Sequence, residues 1–309
     1  MSIIQAPSSV VMIRPHAFHP NPETSADNAF QSQADARDVS ARARAEFDRV
    51  AGTLREAGVN VHVFDDHGDL DTPDSVFPNN WFSTHTGGHI ALYPMYAENR
   101  RRERRADVIE LLKRDYRVSE VIDYSGLEQD GLSLEGTGAM VLDHIGRIAY
   151  VARSNRADPV LLERFCAHFN YEPISFDAAD AQGTAIYHTN VLMGIGTDYA
   201  LICLDMIPDP ERRRTVAERL SENGRQVIDL THDQIGNFAG NAIELTGSER
   251  LLALSARAFE ALRPDQLAVI ERSAKPLPLT IPTLETAGGS VRCMLAGIHL
   301  TRRPERTAA

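Results

Sequence analysis

One strand–strand–helix–strand pattern recurs along the chain about every fifty residues, and such a repeat restricts the fold more than any single motif. Its first copy is NNWFSTHTGGHIALYPM, followed by a charged helical stretch from Asn99 to Arg114. The other copies cover residues 136–169, 188–220 and 240–274. In each, two short apolar runs flank a turn of Gly or polar residues, and a stretch with helical periodicity follows. Three of those helices open at Asp158-Pro159, Asp209-Pro210 and Arg263-Pro264. Proline loses nothing in a first helical turn, because the N–H it lacks would have been unpaired there. A further short strand follows three of the helices, at VSEVIDY, EPISFD and QVIDLT. The starts at Asn79, Gly136, His188 and Gly240 lie 57, 52 and 52 residues apart.

A fifth start falls at Ser290 or Val291, where the chain has room for VRCMLAGIHL but not for a helix. The missing pieces stand at the other terminus: a strand at VVMIR, a helix from about Asp35 to Ala57 and a strand at VNVHVF. Units of this length cannot bury their apolar faces alone and must pack against one another. The pattern predicts an α/β fold in which residues 1–309 form one domain, a closed ring of five units with one unit completed by both termini. Cys293 would lie in the first strand of that fifth unit.

Composition narrows the function. The net charge of −11 argues against a nucleic-acid surface. The one basic run, Arg100, Arg101, Arg102, Arg104 and Arg105, is interleaved with Glu98, Glu103 and Asp107 and reads as a solvated helix face. No apolar run approaches the roughly 20 residues of a membrane span, and the N-terminus lacks the pattern of a signal peptide. Three widely spaced cysteines do not make a disulfide framework. The expected compartment is the cytoplasm, with no membrane or nucleic-acid partner and no metal or organic cofactor; a homodimer is left open.

If the five units superpose, the residues at each first-strand entrance face a common axis. These are Asn80, Glu135 with Gly136, His188 with Asn190, Asn241, and Cys293. A thiol, an imidazole and a carboxylate from three units suit nucleophilic attack on a carbonyl-like carbon. Cys166 and Cys203 sit in apolar contexts and read as small buried hydrophobes. Cys293 differs, because Gly288 and Gly289 allow close approach of backbone N–H groups and Arg292 brings a charge that favours thiolate.

On these segments the chain resembles the guanidine-modifying enzymes, the penteins: arginine deiminase, dimethylarginine dimethylaminohydrolase, the amidinotransferases and their relatives. GGSVRCM resembles the glycine-rich loop before the family's nucleophile, which implies that role for Cys293. LEGTGAMVL and HTNVLM resemble the segments carrying the active-site acid and the general acid/base, implying Glu135 and His188. ARSNRAD looks like the family's turn whose arginine holds the substrate α-carboxylate, implying Arg156. FPNNWF stands where the family has its arginine–aspartate segment. The resemblance implies a five-bladed pseudosymmetric α/β propeller with the site at its axis.

The departures bear on substrate. Asn80, Asn190 and Gly138 stand where relatives that grip a guanidinium carry aspartates. A guanidinium is a permanent cation whose natural partners are carboxylates, whereas a neutral ureido group offers both N–H donors and a carbonyl acceptor that an asparagine can meet. The expected activity is hydrolysis of citrulline to ornithine, CO2 and ammonia through a covalent thio-intermediate, in the manner of a citrulline ureidase. Asn79, Asn80, Asn190, Asn241 and Arg156 form the expected substrate-binding set, and Asp74 and Asp180 are possible substitute carboxylates. The alternatives are arginine deiminase, dimethylarginine hydrolase or amidinotransferase activity on a guanidino substrate, a cysteine hydrolase of amides, and a non-catalytic ligand-binding propeller.

Overall fold

The computed structural model describes residues 4–32 and 38–304. Five three-stranded sheets share one topology. In four of them a first strand pairs antiparallel with a central strand, and a helical crossover returns the chain parallel on its other side. The first, central and third strands are Phe82–His85, His89–Leu92 and Glu120–Asp123 in the first of these sheets. They are Val141–Asp143, Ile148–Ala152 and Glu172–Phe176 in the second. The third has Met193–Ile195, Tyr199–Ile202 and Gln226–Asp229; the fourth has Ile243–Thr246, Arg250–Ser255 and Lys275–Leu279. The fifth sheet takes its first strand, Ala296–Gly297, from the far end of the chain and sets it against Ser9–Pro15, which pairs parallel with Asn60–Asp66.

Local chemistry explains the crossovers. Asp158 accepts from the N–H groups of Val160 and Leu161, and Asp209 from those of Glu211 and Arg212, each just before a proline. A side-chain cap of this kind is worth about 1 kcal/mol. Helix Val39–Glu56 buries Val39, Ala43, Phe47, Val50, Ala51 and Leu54, spaced three to four apart on one face. Its buried Glu46 accepts from the N–H groups of Thr283 and Leu284, anchoring the segment that leads to Cys293. The expected start of this helix near Asp35 lies outside the described residues.

Some of these expectations need correction. The charged stretch from Asn99 to Arg114 is two helices, Glu98–Arg101 and Ala106–Asp115, and the basic run straddles the break between them. Its residues therefore do not share one solvated face: Arg100 is 2% exposed. The fourth unit's helix does open at Arg263-Pro264, as Pro264–Ile270, with a further helix, Ala256–Ala261, before it. Finally, Cys293 lies not in a strand but in a single helical turn, Val291–Met294, just before strand Ala296–Gly297. Turns of the same kind precede three other first strands: Pro78–Asn80, Gly136–Ala139 and Thr189–Leu192. A short apolar run does not distinguish one helical turn from a strand by periodicity.

Hydrogen bonds join each sheet to the next. Thr137 Oγ1 donates to the Asn79 carbonyl, Arg225 Nη2 to Asp143 Oδ1, and the Thr197 N–H to Glu244 Oε2. The Thr246 N–H donates to the Pro7 carbonyl, and the His299 N–H to Thr84 Oγ1. Among the described residues no helix is long and apolar enough to cross a membrane.

Candidate active site

The helical turns before the strands bring the candidate residues together. Glu135 and His188 each stand at the position preceding their turn, Asn190 lies within the second of these turns, and Asn241 lies just before strand Ile243–Thr246. Cys293, His188, Glu135, Asn79, Asn80, Asn190, Asn241 and Arg156 are each at most 2% exposed. Asn80, Arg156, His188 and Cys293 line one small cavity.

The Cys293 sulfur accepts from Asn190 Nδ2 and Asn241 Nδ2, both at 3.2 Å. Asn241 Oδ1 in turn accepts from the Arg292 N–H at 3.0 Å. Two amide N–H donors thus point at the sulfur. The Arg292 guanidinium has no carboxylate partner among the described residues, and burial lowers its pKa to about 10, with the Cys293 charge acting in the opposite direction. With the amide orientations assigned from their neighbours, Asn79 Nδ2 donates to the Cys293 carbonyl (2.6 Å) and Asn80 Oδ1 accepts from Arg100 Nη1 (2.9 Å).

His188 Nε2 bonds Glu135 Oε2 at 2.8 Å, which leaves Nδ1 for proton transfer. Burial lowers the His188 pKa below its ordinary value, with the Glu135 bond acting against the fall. Glu135 Oε1 accepts from the Tyr96 N–H at 3.0 Å. Burial alone would raise the Glu135 pKa; Arg156, His188 and Arg100 together hold it well below the ordinary carboxylate range. Gly138 is required beneath this pair, because a Cβ there would run into the Asn80 side chain and lie 2.9 Å from His188 Nδ1.

Arg100 and Asp27 are not marked by the sequence, whereas Asp74, Asp180 and Arg156 are. Arg100, concealed in the basic run, makes a bidentate bond to Glu103 (2.8 and 3.0 Å) and reaches Glu135 Oε2 at 3.7 Å. Asp74 lines the cavity, with Oδ2 bonded to Asn21 Nδ2 at 2.8 Å and Oδ1 buried without a partner among the described residues. Burial raises its pKa, against the pull of Arg100. Asp180 instead accepts from the N–H groups of Gln182 and Thr184 in a turn away from this cavity. Arg156 stacks over the Tyr187 ring at 4.9 Å, places Nη1 3.5 Å from Glu135 Oε2, and is held by Asp27 through both Nε (2.9 Å) and Nη2. No local signal marks Asp27, which stands 129 residues away in sequence. Among the described residues no group of three or more His, Cys, Asp or Glu could hold a metal ion.

Five like sheets together with a buried cysteine, histidine and glutamate point to the class, the guanidino-modifying, or pentein, superfamily. Within that class, the chain belongs to the family described as N,N dimethylarginine dimethylhydrolase, eukaryotic, whose model matches residues 14–300. No curated protein matches the chain. Among solved structures it is similar to the N-terminal domain of ArgZ, an arginine dihydrolase from the ornithine–ammonia cycle in cyanobacteria, captured with its substrate. That likeness has 18% identity and a TM-score of 0.73, over 94% of this chain and 97% of that one. It is also similar to AgrE in complex with ornithine and NAD+, with 18% identity and a TM-score of 0.71, over 96% of this chain but 40% of AgrE. A third similar structure is the DDAH of Pseudomonas aeruginosa, as a cysteine-to-serine mutant complexed with citrulline. It has 13% identity and a TM-score of 0.62, over 96% of this chain and 100% of that one.

Proposed function

We propose that the chain is a cysteine-dependent hydrolase of the ureido carbon of citrulline, built as one closed five-bladed ring with the site at its axis. The observation that carries this reading is the set of amides around the sulfur. Asn79, Asn80, Asn190 and Asn241 are all buried within reach of Cys293 or of one another, and Asn190 Oδ1 has no partner among the described residues. A buried acceptor without a donor costs about 1–3 kcal/mol, which a ureido N–H would recover. A guanidinium brought against neutral amides would instead be an underpaired buried charge.

His188 takes the Cys293 thiol proton as Sγ attacks the ureido carbon, and passes it to the terminal nitrogen, which leaves as ammonia when its bond to that carbon breaks. Water then adds to the thiocarbamate, giving its proton to His188. The carbon–sulfur bond breaks, and the released carbamate separates into ornithine and CO2. The sum is citrulline plus water giving ornithine, CO2 and ammonia. Glu135, which bonds His188, orients the imidazole and favours its charged form. Arg156 receives the α-carboxylate.

A guanidino substrate is the second reading. It is favoured by Asp74, whose buried Oδ1 could take a guanidinium N–H, and by the family to which the chain belongs. The test is kcat/KM for citrulline and arginine, with ammonia, ornithine and citrulline followed separately, in the wild type and in Asn80→Asp/Asn190→Asp. The expected wild type prefers citrulline, and the double substitution lowers citrulline turnover more than arginine turnover, by roughly 10–100-fold. A wild type that prefers arginine, or that releases citrulline as its product, refutes the ureido reading.

A further inference from the structure

Cys293 is 2% exposed and lines a small cavity. Residues 16–32, which connect strand Ser9–Pro15 to the region before helix Val39–Glu56, belong to no sheet. Thr24 and Asn28 of this segment line the cavity. Polar contacts hold it down: Asn21 Nδ2 to Asp74 Oδ2 (2.8 Å), Asn28 Nδ2 to the Ala287 carbonyl (3.2 Å) and the Ser32 N–H to the Thr286 carbonyl (3.0 Å). Its strongest charged contact is Asp27 on Arg156.

That contact fills the arginine. Asp27 takes the Nε and Nη2 edge, and Nη1 faces Glu135. A guanidinium presents its donors in a fixed planar fork, so an edge already bonded to one carboxylate cannot take a second in the same way. The two partners differ in how readily they can let go. The Arg156 side chain is 1% exposed, whereas that of Asp27 is 23% exposed and has water to move into. A carboxylate arriving at Arg156 therefore replaces one ion pair by another, and the displaced Asp27 is rehydrated. A ligand without a carboxylate would break the Asp27 pair and leave that edge of Arg156 unpaired.

We propose that Asp27 occupies, in the free protein, the seat of the substrate's α-carboxylate. Segment 16–32 is then a self-inhibiting strap that an amino acid displaces and the corresponding amine does not. Asp27 is thus a specificity-determining residue, although it need not touch the reacting atoms. This rests on the assignment of Arg156 to the substrate carboxylate made above.

The test uses the full chain with Asp27→Asn and Asp27→Ala. Cys293 is alkylated with iodoacetamide, a small neutral reagent, and the modified peptides are mapped. Buried Cys166 and Cys203 report any general loosening. If only a small fraction of the free protein is open, apparent reactivity and affinity are reduced by that fraction. Both variants should then alkylate at Cys293 at least about tenfold faster than the wild type, with Cys166 and Cys203 unchanged. The KM for the amino acid turned over, citrulline or arginine, should fall. An unchanged Cys293 rate, acceleration of all three cysteines together, or a raised KM overturns the proposal. Selective Cys293 acceleration in a protein that turns over arginine but not citrulline leaves the strap standing and removes the ureido assignment.

Discussion

Replacing Glu135 by glutamine changes almost no volume and removes one charge from the centre of the site. The Glu135 carboxylate is fully buried and accepts from the Tyr96 N–H and His188 while facing Arg156 and Arg100. An amide has one oxygen, so it cannot accept from both Tyr96 and His188 through separate oxygens as the carboxylate does. Losing a charge-assisted bond costs about 1.5–3 kcal/mol. Arg156 keeps Asp27 and Arg100 keeps Glu103, so the total stays near or below the roughly 3–5 kcal/mol of an abandoned buried charge. We expect E135Q to lose about 2–4 kcal/mol, a fall in Tm of roughly 3–6 °C for a chain of this size. Because the folded pKa of Glu135 is depressed, its contribution is complete above the unfolded carboxylate value of about 4.3 and is lost as pH falls through the folded value. The gap between E135Q and wild type should therefore be full near neutral pH and narrow in acid. Without its partner the His188 imidazolium loses support, and kcat should fall about 10²–10⁴-fold. Calorimetry across pH, with steady-state ammonia release on the same preparations, measures both effects. A kcat within about threefold of wild type, or an unchanged Tm at neutral pH, would refute the reasoning.

Cys293→Ala and His188→Ala should each abolish turnover with the fold intact by circular dichroism, and the double variant should be no worse than either, because residues acting as one unit do not lose rate additively. An active Cys293→Ala protein would end the covalent mechanism. Gly138→Ala places a methyl against Asn80 and the His188 ring; overpacking of this kind costs about 1–3 kcal/mol, so Tm and kcat should fall together, and a wild-type kcat would show the pair is not so placed. Since His188 titrates below its ordinary value, the acid limb of kcat/KM should lie below about pH 6.5. It should move lower still in E135Q, because the group that raises the His188 pKa is gone; a limb that moves upward contradicts the Glu135–His188 pairing.

Much of the architecture was legible locally. Apolar runs at constant spacing marked the strands, Asp158-Pro159 and Asp209-Pro210 marked helix starts, and the short last unit pointed to its missing pieces at the N-terminus, where Ser9–Pro15 pairs with Ala296–Gly297. Each of these is written by neighbours a few residues apart. The helical turns before the strands were not legible, because four residues carry too little periodicity to separate a turn from a strand. The burial of Arg100 was not legible for a related reason: its local neighbours are charges, and the break between Glu98–Arg101 and Ala106–Asp115 is not marked in them. The type of residue near the nucleophile could be read from the repeat register, but the partners of each could not. That Asn190 and Asn241 both bond the sulfur, that Glu135 is shared by His188, Arg156 and Arg100, and that Asp27 closes on Arg156 all depend on residues tens to more than a hundred positions apart. Burial and charge pairing are set by what the other sheets and the N-terminal segment place opposite each side chain. Sequence spacing determined which groups could meet near Cys293; tertiary packing decided which are dry, which are paired, and which acceptors are left without a donor.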